Sequence, residues 1–222
     1  IAALGWNHRA GLVATAVGAA AIALVLKPVA GIAFAAGAAL PAWWIAYLAL
    51  LGRPDDRGTV EWYPTGRVLM WICCTAALVT IGGAMAIAGD YDTYIASMRR
   101  ALAAILAGET RNSGLPAPRL PGGMTVDDLA TMLTSVVPYA AAASFVPMIA
   151  ANLWLAAKAV SLSGRLPRPW PYIPSTQMPR ETVVLLGAAI VASFLPGFIG
   201  FFAAAICGAL FSGFVLSGLA TL

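Results

Sequence analysis

Residues Thr125–Ser161 read TVDDLATMLTSVVPYAAAASFVPMIAANLWLAAKAVS. The stretch opens polar, with Thr125, Asp127 and Asp128, and turns apolar from Val136 onward. A helix rises ~1.5 Å per residue, so crossing a ~30 Å hydrocarbon core takes ~20 mainly apolar residues. Residues 138–160 supply that length, so this helix belongs in a bilayer. Thr125 is placed to cap its N-terminus, with Asp127 and Asp128 in the first turn, where the helix dipole favours negative charge. Pro138 is expected to kink or break the helix between a surface part and the span.

The rest of the chain has the same character. Hydrophobic residues make up 61% of it, charged residues 10%, and the mean hydropathy is +0.86. A soluble domain carries ~25% charged residues, so lipid must be the solvent here. We read 1–222 as a single transmembrane domain, an all-α polytopic helical bundle of about six spans. The spans fall at about 11–26, 29–51, 68–88, 138–160, 182–195 and 198–222. Lys27-Pro28 reads as a tight turn, and Pro41 interrupts the second span. Small residues four apart, such as Ala14 and Gly18 or Ala33 and Gly37, let helix backbones approach closely in lipid. Residues 93–107 have apolar positions at i, i+3 and i+4. Arg99 and Arg100 at their centre are too costly for a lipid-facing span, so this is expected to be an interfacial amphipathic helix. Residues 52–67, 108–124 and 161–180 read as loops, the last two rich in proline. The chain starts at Ile1 rather than Met and stops at Leu222 inside an apolar run, which reads as a fragment of a longer protein.

The net charge of +4 fits lipid headgroups rather than nucleic acid. Loops on the side of Ile1 carry Arg9, Arg53, Arg57, Arg67, Lys158, Arg165, Arg168 and Arg180. The other side carries Lys27, Arg99, Arg100, Arg111 and Arg119. The excess makes the Ile1 side cytoplasmic and the protein a multi-pass one of a bacterial inner membrane.

Chemistry-bearing motifs are scarce. No His-Glu-x-x-His or phosphate loop occurs, so no metal, cofactor or ATP site is expected, and the reading is not an enzyme. Cys73 and Cys74 are adjacent and Cys207 is distant, which reads as free thiols. His8 lies beside Trp6 and Arg9, a combination suited to a membrane interface. Asn152 is the polar side chain expected at membrane depth. It either bonds between helices or lines a ligand cavity, and it is expected to face the bundle interior. Trp43, Trp44 and Tyr139 are candidate aromatic walls for such a cavity, or interface anchors.

At residues 40–44 (LPAWW), at 58–67 (GTVEWYPTGR) and in the late Pro-rich loop, the sequence resembles the YybS-like family of bacterial membrane proteins. That family is distantly similar to the S components of energy-coupling-factor transporters, and to a cell-shape membrane protein of the MreD type. The resemblance implies a bundle of about six helices that encloses a small molecule and works with separate partners, a transporter ATPase module or a larger complex. No vitamin-binding motif transfers residue by residue. The function expected is small-molecule binding or transport. The alternative is a non-catalytic scaffold or assembly subunit of a larger membrane complex.

Overall fold

The computed structural model describes residues 1–56, 58–113 and 125–221. Its elements are helices α1 (Ala2–Gly5), α2 (His8–Val25), α3 (Pro28–Phe34), α4 (Leu40–Ala49), α5 (Thr65–Ile87), α6 (Tyr91–Ser113), α7 (Val126–Leu162), α8 (Glu181–Ala192) and α9 (Gly197–Leu219), with a short antiparallel hairpin of β1 (Gly52–Pro54) and β2 (Val60–Trp62). The protein is an all-α helical bundle. Among the described residues, five helical stretches are long and apolar enough to cross a membrane: α2, α3 to α4, α5, α7 from Thr131, and α9. It is a multi-pass membrane protein.

Helix α7 is the organising element. Thr125 caps it through a reciprocal pair: the Asp128 amide donates to Thr125 Oγ1 at 3.1 Å, and the Thr125 amide donates to Asp128 Oδ2 at 2.9 Å. Of the kink or break expected at Pro138, no break occurs: the helix runs on for 37 residues through Pro138 and Pro147. Pro138 is buried, and one residue on, the Tyr139 backbone lies against Gly208 of α9. Neighbouring helices of this kind hold a proline-containing helix together in lipid. At ~1.5 Å per residue α7 is ~55 Å long, well beyond the hydrocarbon core, and α6 packs along it.

The core lies where α4, α5, α7 and α9 meet. Ala76, Ala142 and Ala205 are each wholly buried, and Ile45, Val146 and Leu210 fill the space around them. Small residues at the centre bring the backbones close, which supplies the dispersion contact that replaces hydrophobic drive in lipid. Helix α2 stands outside this core, with only Gly11 buried. The interruption expected at Pro41 takes a specific form. The five residues Ala35–Ala39 make a π turn between α3 and α4. Widening the ladder just ahead of Pro41 absorbs its missing N–H without ending the helix.

Two other segments take a specific form. The stretch expected to cross over 182–195 forms α8, of 12 residues, or ~18 Å, and it leads from the loop held by Ser217, near the end of α9, back to the start of α9. It packs against α9 with Thr182 buried. Helix α6 covers the expected amphipathic segment and continues to Ser113, into residues expected to be loop. Its Tyr94 is buried edge-on against Phe201, ring centroids 5.1 Å apart, which docks the start of α6 on the far end of α9. The rest of the loop expected over 108–124, together with Arg57 and Arg119, lies outside the described residues. Cys73, Cys74 and Cys207 are free thiols.

Candidate functional site

At the end of the bundle that carries Ile1, a groove of about 550 Å³ runs down between α5, α7 and α9 beneath the late Pro-rich loop. One wall is the α7 face of Pro147, Ala150, Ala151, Trp154 and Ala157, residues three and four apart that share one side of a helix. The facing wall is the first turns of α5, Thr65, Val68, Leu69 and Ile72, with the same spacing. From Ala157 to Pro147 the groove descends ~15 Å, about half of a ~30 Å hydrocarbon core. Pro147, Ala151 and Trp154 are exposed along one edge, so the groove opens sideways, toward lipid.

The roof is built from residues 166–176. Pro167, Pro169 and Pro171 alternate with Arg168 and Trp170. Each proline fixes its own φ, lacks an N–H and holds the residue before it extended, so the loop needs few internal hydrogen bonds. It is pinned at three points instead. Arg168 Nη1 donates to the Ala49 carbonyl at 2.8 Å. Thr176 Oγ1 meets Thr65 Oγ1 at 3.2 Å, and Ser217 Oγ donates to the Thr176 carbonyl at 2.8 Å. Beside them the Gln177 backbone packs onto Gly66 so closely that no Cβ would fit there.

Behind the roof lies a second, more polar cleft of about 330 Å³, lined by Trp62, Gly66, Tyr172, Ser175 and Gln177. The two spaces share Thr65, Arg168, Pro169, Trp170 and Pro171. Arg168 is therefore the charged group at the junction of an oily groove and a wet cleft. It is half-buried, and desolvation alone pushes its guanidinium below its ordinary value; no carboxylate among the described residues offsets the charge. It remains a cation at neutral pH. Nearby, Trp154 and Trp170 meet edge to face at 6.3 Å, and Lys158 Nζ sits 5.3 Å from the Trp170 ring centroid.

The residues expected to form a site are distributed differently. Trp43 and Trp44 line another groove, of about 810 Å³, with Trp71, Thr75 and Gly82. They also belong to an aromatic cluster: Trp43 stacks on Tyr47 at 6.0 Å, and Trp44 meets Trp71 edge-on at 5.5 Å. The Trp43 indole is anchored by donating to the His8 carbonyl at 2.9 Å. Asn152 lines an adjacent crevice of about 260 Å³, which shares Gly37, Pro41 and Val79 with the tryptophan groove. Its orientation corrects the expectation of an interior residue, because Asn152 is exposed. The buried stripe of α7 follows Ala142, Val146, Ile149 and Leu153, and Asn152 falls one residue off that stripe. Tyr139 joins neither space; its backbone forms the α7–α9 contact at Gly208. Sequence reasoning missed Arg168 and Trp170 as site residues. Their available signal was an arginine and a tryptophan held between alternating prolines.

No family model, curated protein or solved structure matches this chain.

Proposed function

We propose that this is a non-catalytic protein of a bacterial inner membrane that binds a small molecule in the groove between α5, α7 and α9. The observation that carries the reading is the pairing of an apolar groove of about 550 Å³ with a cation at its mouth, Arg168, that no carboxylate among the described residues compensates. Small-molecule sites are concave, of ~300–1,000 Å³, mostly apolar, with a few placed polar groups. The tryptophan groove is larger, but its walls carry no charged residue. Such binding agrees with the expected role resembling a transporter S component, in which a separate ATPase module would power movement.

The test is native mass spectrometry of the protein released from its membrane in mild detergent. A small-molecule adduct is expected on the wild type. Filling the groove by Ala151→Trp, at an exposed position, is expected to remove the adduct while the elution profile stays unchanged. Equal adducts on both proteins would exclude this groove as the site.

One observation favours a second reading, assembly with another membrane subunit. The Asn152 amide is exposed on an apolar crevice, and an amide left to face hydrocarbon costs several kcal/mol. A polypeptide partner in stoichiometric amount after mild extraction, lost on Asn152→Leu, would support it.

A further inference from the structure

We infer that the groove takes a single-chain amphiphile with an anionic head, the tail lying along α7 and the head at Arg168. This rests on the binding reading above and assigns the chemical class of the ligand. The tail half follows from the walls. From Pro147 to Ala157 the groove offers alkyl and aromatic surface down to about half the depth of the hydrocarbon core. Its exposed edge at Ala151 and Trp154 gives a chain lateral entry from the bilayer.

The head half follows from Arg168. A guanidinium carries five N–H donors in a planar fork suited to carboxylate or phosphate. Among the described residues one hydrogen bond is made, from Nη1 to the Ala49 carbonyl, and it fixes the group at the border between groove and cleft. A half-buried cation with no counter-charge among the described residues is held at a cost, and an anionic head offsets it. Lys158, whose Nζ sits 5.3 Å from the Trp170 ring centroid, adds a second positive charge beside that ring. The cleft behind, with Ser175, Gln177 and Tyr172 on its walls, leaves room for the polar remainder of the head. A neutral amphiphile would fill the tail groove equally well but leave Arg168 uncompensated. The site thus selects by head charge rather than by tail.

The experiment uses the full chain in nanodiscs of zwitterionic phosphatidylcholine, with dodecyl phosphate and dodecanol as paired probes. Tryptophan fluorescence provides the signal, and the part of the change lost in the Trp154→Phe/Trp170→Phe protein reports this site rather than the groove at Trp43, Trp44 and Trp71. Dodecyl phosphate is expected to bind at least tenfold more tightly than dodecanol. Arg168→Gln, which also loses the bond to the Ala49 carbonyl, is expected to abolish that preference, and the dodecanol binding that remains reports whether the groove is still folded. Arg168→Lys, which keeps the charge, is expected to retain most of the preference. Equal affinity of the wild type for both probes would overturn the anionic-head assignment while leaving the groove a binding site. Failure of both probes to bind would overturn the binding reading itself. Competition by anionic phosphatidylglycerol supports the assignment with a bilayer lipid as the source; binding untouched by it supports the assignment with a free amphiphile.

Discussion

Gly208 of α9 lies against the backbone of Tyr139 in α7, so that a Cβ at 208 would overlap the Tyr139 carbonyl. This is a close approach of the main chains of two helices that build the core, one residue beyond a proline that α7 passes without breaking. A side chain there cannot be accommodated by a rotamer change, because the obstacle is main chain. Gly208→Val is therefore expected to lower stability by about 1–3 kcal/mol, the usual range for overpacking. Thermal unfolding in detergent micelles checks this. A Gly208→Val protein as stable as the wild type would mean that α7 and α9 do not cross at this distance.

The roof over the groove depends on hydroxyl groups far from it in sequence. Ser217 Oγ holds the Thr176 carbonyl, and Thr176 Oγ1 meets Thr65. Ser217→Ala removes one such bond, at a net cost of ~1 kcal/mol, which is about a fivefold rise in local opening. Hydrogen exchange over 172–178 should quicken by that factor while α5 and α9 keep their protection. Unchanged exchange in the loop would show that the serine does not pin it.

Residues 52–56, 58–64 and 166–177 sit at one end of the bundle, since Gly66 packs on Gln177 and Arg168 reaches Ala49. Cysteines introduced at Thr59 and Ser175 should therefore label from the same face, which the excess of basic residues leads us to expect on the cytoplasmic side. An impermeant maleimide should react with both in inside-out vesicles and with neither in intact spheroplasts. Labelling of the two from opposite faces would contradict the fold, and labelling of both from outside would reverse the orientation.

What could be read in advance divides along a physical line. Apolar length and charge exclusion are local properties, and they marked α2, the α3–α4 pair, α5, α7 and α9 as membrane helices. The Thr125 cap is local too, a side chain meeting an amide three residues on. The roof is not. Arg168 meets a carbonyl 119 residues away and Thr176 a hydroxyl 111 residues away, and no periodicity records such pairings. Asn152 went astray for a related reason. Its depth follows from its place in an apolar run, but which side of α7 faces the core depends on where α5 and α9 pack. The π turn before Pro41 was hidden because a proline announces a lost hydrogen bond without saying how the helix absorbs it.

The two acidic caps make a pH-dependent prediction. Asp128 accepts from the Thr125 amide and hydroxyl, and Asp90 from the Thr93 amide at 2.8 Å. These bonds stabilise the carboxylate forms, so both groups titrate below the ordinary Asp value when folded, chiefly through the backbone donors. A lowered folded value means that the unfolded helix end binds the proton more readily. The stabilisation is then fully present above the unfolded value of ~3.9 and is lost as pH falls through the lower, folded one. Between pH 7 and pH 5 the first turns of α6 and α7 should keep their protection against hydrogen exchange, after correction for the intrinsic rate. Below pH 4 both should fray, while the capless start of α9, which follows Pro196, should hold. Asp128→Asn should weaken the first turn of α7 at neutral pH and flatten its pH dependence, because the amide keeps an acceptor but loses the charge. Exchange at 126–129 that is as pH-dependent in Asp128→Asn as in the wild type would assign the effect to another group.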